Sequence, residues 1–296
     1  MIPKETILCD MIFCLIYSRK MVRNMREIST DKAIEIRREI LEAFHQFCKK
    51  HGLRYSLAYG TLLGAVRHKG MIPWDDDIDL IMPREDYDRL EAMYSTHDCE
   101  DRYQFVNHRN HPEIKTKIGY YIDYYTLMEV AGNIKKYHGI HVDIYPLDIL
   151  PDGEKERIKI TKQRKLLHWL IRAKDVHPEV LKGRQRLIRQ IVKVAFFPIN
   201  QDKVLDQLNF LAKSFAEIPE HQRKTVCCLC ESGALQTFPY SVTKDYILYD
   251  YDGKQYYGFK HYDAPLTAWY GDYMTPPREK DRKRPEHKWV RYLYKE

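Results

Sequence analysis

One short run, Trp74-Asp75-Asp76-Asp77-Ile78-Asp79-Leu80, constrains this chain more than any other stretch. Acids alternate with apolar residues there, which is the period of a β-strand. Ile78, Leu80 and Met82 then share a face that packs on a core, and Asp77 and Asp79 share the other. The backbone repeat sets those two carboxylates about 7 Å apart. Like charges at that spacing repel. A divalent cation between them removes the cost, and Mg²⁺ prefers hard oxygen ligands and keeps phosphate oxygens in its shell. Asp75 is expected to join this face, and Asp76 to lie in the turn before the strand. A further acid, Asp143 in Val142-Asp143-Ile144, also sits in an apolar run, where it is costly unless paired or metal-bound. Three acids on adjacent strands make a two-metal site that holds both attacking and leaving oxygens. The plain alternative is a solvated acidic turn.

Upstream, Tyr59-Gly60-Thr61 reads as a strand-to-helix turn. Gly60 lets the backbone approach a phosphate, Thr61 adds a hydroxyl, and the helix N-terminus adds oriented N–H groups. Arg67, His68 and Lys69 follow closely and are candidates to neutralise a pyrophosphate. Trp74 and Lys117 complete the substrate-binding candidates. An ordinary turn followed by a solvated cationic loop is the competing reading.

The net charge of +7 is uneven. Residues 154–193 hold 13 Lys/Arg against 4 Asp/Glu, so the remainder of the chain is slightly acidic. That argues against a nucleic-acid binder, which spreads positive charge along a face. The basic block reads either as a solvated helical face or as a helix resting on anionic lipid. The cluster Cys227, Cys228 and Cys230 lacks the spacing of a zinc site, and reduced thiols in a cytoplasmic protein are expected. Residues 7–17 are apolar but too short to span a bilayer, and Asp10 interrupts them. A true start at Met21 or Met25 is one expectation for this extension; a weak membrane-touching anchor is the alternative.

Periodicity predicts a helix from an N-cap at Ser29-Thr30-Asp31 to Gly52, then strands over 53–59 and 77–82 around a short helix at 62–67. A helix over 84–94 follows. Strands are expected at 103–107, 115–123, 127–130 and 139–145, with Pro146 and Pro151 flanking a loop. Helices are expected over 154–193, broken near His177-Pro178, over 203–216 and over 265–270. Interleaved strands and helices define an α+β or α/β core. The expected division is an extension over 1–24, a catalytic core over 25–150, and a helical, basic second lobe with C-terminal motifs over 151–296.

Gly60-Thr61 followed by Asp77-Ile78-Asp79 resembles the signature of DNA polymerase β-like nucleotidyltransferases. The full string from Tyr59 to Leu80 resembles the LicD family, which includes phosphocholine transferases and the fukutin-related proteins. Gly139 to Asp148 is similar to that family's third-carboxylate strand, and Trp269 to Pro277, then His287, to its C-terminal motif. The resemblance implies a mixed-sheet nucleotidyltransferase core flanked by helices, with Asp77 and Asp79 as metal ligands and Asp143 as third ligand or base. It implies Mg²⁺, with Mn²⁺ as the alternative, and a CDP-alcohol donor, usually CDP-choline. The acceptor it implies is a glycan or lipid-linked glycan bound for the cell surface, of lipopolysaccharide or teichoic acid type. The location expected is the cytoplasm, at the inner face of the membrane. A quaternary ammonium on the donor would meet aromatic faces, for which Trp74, Tyr120, Tyr121, Tyr124, Tyr125 and Tyr145 are candidates. A nucleotidyltransferase acting on a small molecule and a non-catalytic glycan-binding protein are the alternatives.

Overall fold

The first long helix, α1 (Thr30–His51), has the ends its sequence dictates. The Ser29 side chain accepts from the Lys32 N–H, a cap worth about 1 kcal/mol. Gly52 closes it in the left-handed conformation at φ 60°. Ile36, Ile40, Leu41 and Phe44 form its buried stripe. A computed structural model describes residues 25–94, 101–130, 137–175, 183–184, 188, 191, 198–282 and 290–295. The extension over 1–24, the break at His177-Pro178 and His287 lie outside the described residues.

The strands are β1 (Met25–Ile28), β2 (Ser56–Leu57), β3 (Asp79–Pro83), β4 (Tyr103–Val106), β5 (Gly119–Asp123), β6 (Thr126–Val130), β7 (Tyr137–His138) and β8 (His141–Leu150). Beyond them come β9 (Thr225–Cys227), β10 (Thr237–Pro239), the hairpin β11 (Tyr246–Tyr251) and β12 (Lys254–Phe259), and β13 (Val290–Lys295). The other helices are α2 (Tyr59–His68), α3 (Arg84–Met93), α4 (Glu154–Asp175), α5 (Gln201–Lys213) and α6 (Asp263–Tyr270). The fold is α+β, built on a mixed sheet.

That sheet runs β10-β9-β8-β3-β2, with β5 also on β8 and β4 on β5. Only β3 and β8 pair in parallel, with Asp79 opposite Asp143. β8 is longer than its sequence suggests, and Pro146 lies inside it rather than at a loop. The reason is the pairing on its far side. The Asp143 N–H points to β3, donating to Ile78 O at 2.9 Å, so the nitrogen of Pro146, an odd number of residues on, faces away from β3. There β5 stops at Ile144 and β9 begins at Asp148. The missing N–H falls in the gap between two partners, where no ladder bond is lost.

Strands β9 and β10 extend this sheet on the far side of β8. A second, four-stranded sheet, β1-β13-β6-β7, joins the two ends of the described body. Its strands β1 and β13 were not expected from the sequence. No helix among the described residues is long and apolar enough to cross a membrane.

Helix α4 turns two basic residues inward. Arg164 is 1% exposed. It donates to Leu229 O and Gly233 O at 3.0 Å each, and to Glu231 O. His168 sits 3.0 Å from Leu229 O and 3.5 Å from Lys117 Nζ. Burial first, then the Lys117 charge, push His168 down to about 4. Its unfolded value is 6.5, so the folded state resists the proton that the unfolded chain takes up. Its contribution is complete above pH 6.5 and is lost as pH falls towards about 4. The raised carboxylates described below act with the opposite sign. The expected result is therefore a difference: between pH 7 and 5 the melting temperature of wild type drops relative to that of His168→Gln. Parallel curves for the two proteins would refute it.

Candidate active site

Asp75, Asp77, Asp79 and Asp143 line one wall, with Asp76 beside them. Asp75, Asp76 and Asp77 bring carboxylate oxygens within 4.8 Å of one another. Asp79 follows as the first residue of β3, beside Asp143 of β8. Asp77 precedes the strand instead of starting it. Ile78, Leu80 and Met82 are fully buried, as the alternation requires. Ile81 is buried too, because both faces of this central strand are covered.

The electrostatics record the crowding. Burial, then Asp75, raise Asp77 to about 7. Burial, then Asp77 and Asp143, hold Asp79 well above the usual carboxylate range. Asp75 is also raised, chiefly by burial. None of the three forms an ion pair among the described residues, and their all-oxygen donor set suits a hard divalent cation. Among the described residues the tightest carboxylate group is Asp75, Asp76 and Asp77, with Asp76 4% exposed.

Helix α2 aims its N-terminus at this wall. Tyr59, its first residue, adopts φ 44°, a left-handed conformation that side chains other than glycine avoid. Such strain persists only where the surroundings impose it. Here the Tyr59 hydroxyl donates to Glu231 Oε2 at 2.7 Å, and the ring packs on Tyr145 and Trp269. Thr61 is 2% exposed, and its Oγ1 accepts from the Asp79 N–H at 2.9 Å. Its hydroxyl thus fixes the start of β3. A β-carbon on Gly60 would lie 2.6 Å from Asp75 Oδ2. Gly60→Ala is expected to displace that carboxylate and lower turnover about 10- to 100-fold, since small misplacements cost that much. The melting temperature should hold, because the displaced group lies at the rim. Full activity would remove Asp75 from the site.

The cationic candidates divide. Arg67 donates to Tyr273 O at 2.6 Å, which ties α2 to the C-terminal motif. His68 meets the edge of Trp74, and the Arg282 guanidinium covers the same ring. Lys69 ends α2 at φ 60°, and its carbonyl accepts from Asp252 of the hairpin turn. Lys117 bonds Ser232 and neighbours His168. Arg67, His68 and Trp74 thus form one rim, Lys69 joins the hairpin, and Lys117 reaches the 228–233 loop.

His141 and Tyr270 also reach the site and were not read as site residues in the sequence. His141 places Nε2 3.3 Å from Asp143 Oδ1, with Nδ1 2.9 Å from Gly139 O. The signal was present: His141 and Asp143 are two apart on one strand and share a face. Tyr145 offers its hydroxyl to Asp143 Oδ2 at 3.5 Å. Tyr270 lies close enough for Asp79, Asp75, Asp77 and Glu231 to raise its pKa, after burial. Of the other aromatic candidates, Tyr121 is buried in the core and Tyr120 stacks on His141. Cys227, Cys228 and Cys230 are buried, and burial raises their thiols.

An acidic wall facing a helix N-terminus, on a mixed α+β sheet, is the setting in which a family match gains meaning. Residues 52–178 match the family model described as LicD/FKTN/FKRP, nucleotidyltransferase domain. These residues form a domain of the LicD family, and the chain is an enzyme of the transferase class. Over 264 residues it is 26% identical to the lipopolysaccharide cholinephosphotransferase LicD of Haemophilus influenzae, spanning 84% of this chain and 92% of that protein. It is 50% identical over 42 residues to the ribitol 5-phosphate transferase FKRP of human and of mouse, a stretch covering 14% of this chain and 8% of each relative.

Proposed function

We propose that this enzyme transfers a phospho-alcohol, phosphocholine from CDP-choline above all, to a sugar hydroxyl of a cell-surface glycan of lipopolysaccharide or teichoic acid type. The observation that carries the reading is the wall of Asp75, Asp77, Asp79 and Asp143 facing the start of α2, with burial and mutual repulsion raising the pKa of the first three. The similarity to a cholinephosphotransferase along most of both chains supplies the group transferred.

In this reading the acceptor oxygen attacks the phosphorus that bears the alcohol. The bond from that phosphorus to the bridging oxygen breaks, and CMP departs with the electron pair. The hydroxyl proton passes to a carboxylate, for which Asp143 is the candidate. Asp77, Asp79 and Asp143, with Asp75 beside them, would hold Mg²⁺ or Mn²⁺, which supplies charge neutralisation for the phosphate oxygens. The Gly60-Thr61 turn and the N–H groups opening α2 face the pyrophosphate, and Arg67 and His68 close its rim. Positioning and neutralisation account for most of the rate in such transfers. The core is read as nucleotidyltransferase-like. A cytoplasmic enzyme at the inner membrane face fits the exposed Lys155, Lys159, Lys162 and Lys165 on α4, since anionic lipid attracts such a helix.

The test is a panel of CDP-choline, CDP-glycerol and CDP-ribitol with Mg²⁺ and a glycan acceptor, followed by CMP release. Pyrophosphate release from a nucleoside triphosphate would instead assign a nucleotidyltransferase. No turnover and no binding of any CDP-alcohol would sink the proposal.

A further inference from the structure

Glu231 is a carboxylate that the acidic wall does not account for. It lies in the 228–233 loop after β9, outside the Asp75, Asp76 and Asp77 group. The loop is held from behind by the buried Arg164, through the carbonyls of Leu229, Glu231 and Gly233. That guanidinium bonds main-chain oxygens, not the Glu231 carboxylate. Lys117 bonds Ser232 next door. Glu231 itself takes one hydrogen bond, from Tyr59 to Oε2, and forms no ion pair among the described residues. Its Oε1 has no hydrogen-bond partner among them.

Aromatic rings gather on the same side. Tyr59 lies 4.4 Å from Trp269 and 5.0 Å from Tyr145, centroid to centroid. Tyr270 follows Trp269 in sequence, is 44% exposed, and feels both Glu231 and the aspartates. Arg164 and Lys117 act on this carboxylate through their charge, but neither pairs with it among the described residues. A half-buried anion left without an ion pair and bordered by aromatic faces attracts a large, weakly hydrated cation. A quaternary ammonium is such a cation. It has no N–H to satisfy, so a carboxylate and aromatic rings provide all the recognition available to it.

We propose that Glu231, with Tyr59, Trp269 and Tyr270, binds the cationic head of the donor alcohol and makes the enzyme select a quaternary ammonium over a neutral alcohol. This rests on the CDP-alcohol reading of the neighbouring site and names the substrate class within it. Arg164 is a positioning residue in this scheme, since it fixes the loop and touches no substrate.

The decisive comparison is between CDP-choline and the CDP ester of 3,3-dimethylbutanol, which has the same shape without the charge. Wild type should prefer the choline donor, and Glu231→Gln should cut that preference about tenfold, mainly through KM for the cationic donor. Glu231→Asp should restore part of it. An equal fall with both donors, or no change with either, overturns the assignment. A second measurement is independent of turnover: titration of the whole protein with tetramethylammonium. Wild type should bind it more tightly than Glu231→Gln by a similar factor, and equal binding overturns the assignment. If wild type turns over no CDP-alcohol yet binds tetramethylammonium through Glu231, the functional reading fails and the cation site stands.

Discussion

Asp79→Asn should cut CDP-alcohol turnover at least about a thousandfold while leaving the melting temperature unchanged or raising it. The two halves of this expectation share one cause. Asp79 opens β3 directly beside Asp143, with Asp77 two residues before it, and its carboxylate is crowded by both. In the absence of a cation that crowding opposes folding, so a neutral isostere relieves it. The same carboxylate is a candidate to hold the cation and orient the donor phosphate, so its loss removes stabilisation available only in the transition state. Adding Mg²⁺ should raise the melting temperature of wild type, by mass action on the folded form, and raise that of the variant less. Steady-state CMP release and thermal melts with and without Mg²⁺ check both halves. A variant that keeps a tenth or more of the activity would remove Asp79 from the mechanism.

Asp148→Ala should destabilise the protein by about 3–5 kcal/mol, the largest loss of stability expected of any single change here. Asp148 is fully buried five residues along β8 from Asp143, and it belongs to structure rather than chemistry. One of its oxygens accepts from Arg84 Nε at 2.7 Å, and Arg84 Nη2 is 2.6 Å from the same oxygen without hydrogen-bond alignment. The other oxygen accepts from the Leu229 N–H at 3.1 Å. Removing it leaves a 4%-exposed guanidinium with the partly exposed Asp88 as its one remaining ion-pair partner among the described residues, beside Asn209, the Tyr87 ring and Cys230. The cost lies in the unpaired charge, not in the pair itself. Replacing both residues, as Arg84→Met with Asp148→Leu, should therefore recover much of the loss in a denaturation experiment. A double variant as unstable as the single one would contradict this account.

The sequence made the local signals legible and left the long-range ones hidden. Ser29 and Gly52 mark the ends of α1 because caps act within a few residues. The alternation of Ile78, Leu80 and Met82 with Asp77 and Asp79 fixed a core face for β3, although the strand itself begins only at Asp79. Pro146 misled, since a proline inside a strand is tolerated only where two neighbours leave a gap, and pairing is not written locally. Thr61 has a second task that its motif does not show, since its oxygen accepts from the Asp79 N–H and so fixes the start of β3. Glu231 offered no spacing at all. Its place at the site is set by Arg164, 67 residues upstream, through main-chain carbonyls that no motif records.

The small sheet that joins Met25–Ile28 to Val290–Lys295 has a consequence for the order of folding. Within it β1 and β13 pair across almost the whole described chain, so the ring they close is among the longest the described residues form. The entropy of that closure rises only slowly with length, but it must be met before any pairing contact rewards it. The acidic wall needs only the segments up to β8, whose partners lie within a shorter stretch. The wall can therefore assemble before the clasp does, and during synthesis β1 waits for a partner made some 270 residues later.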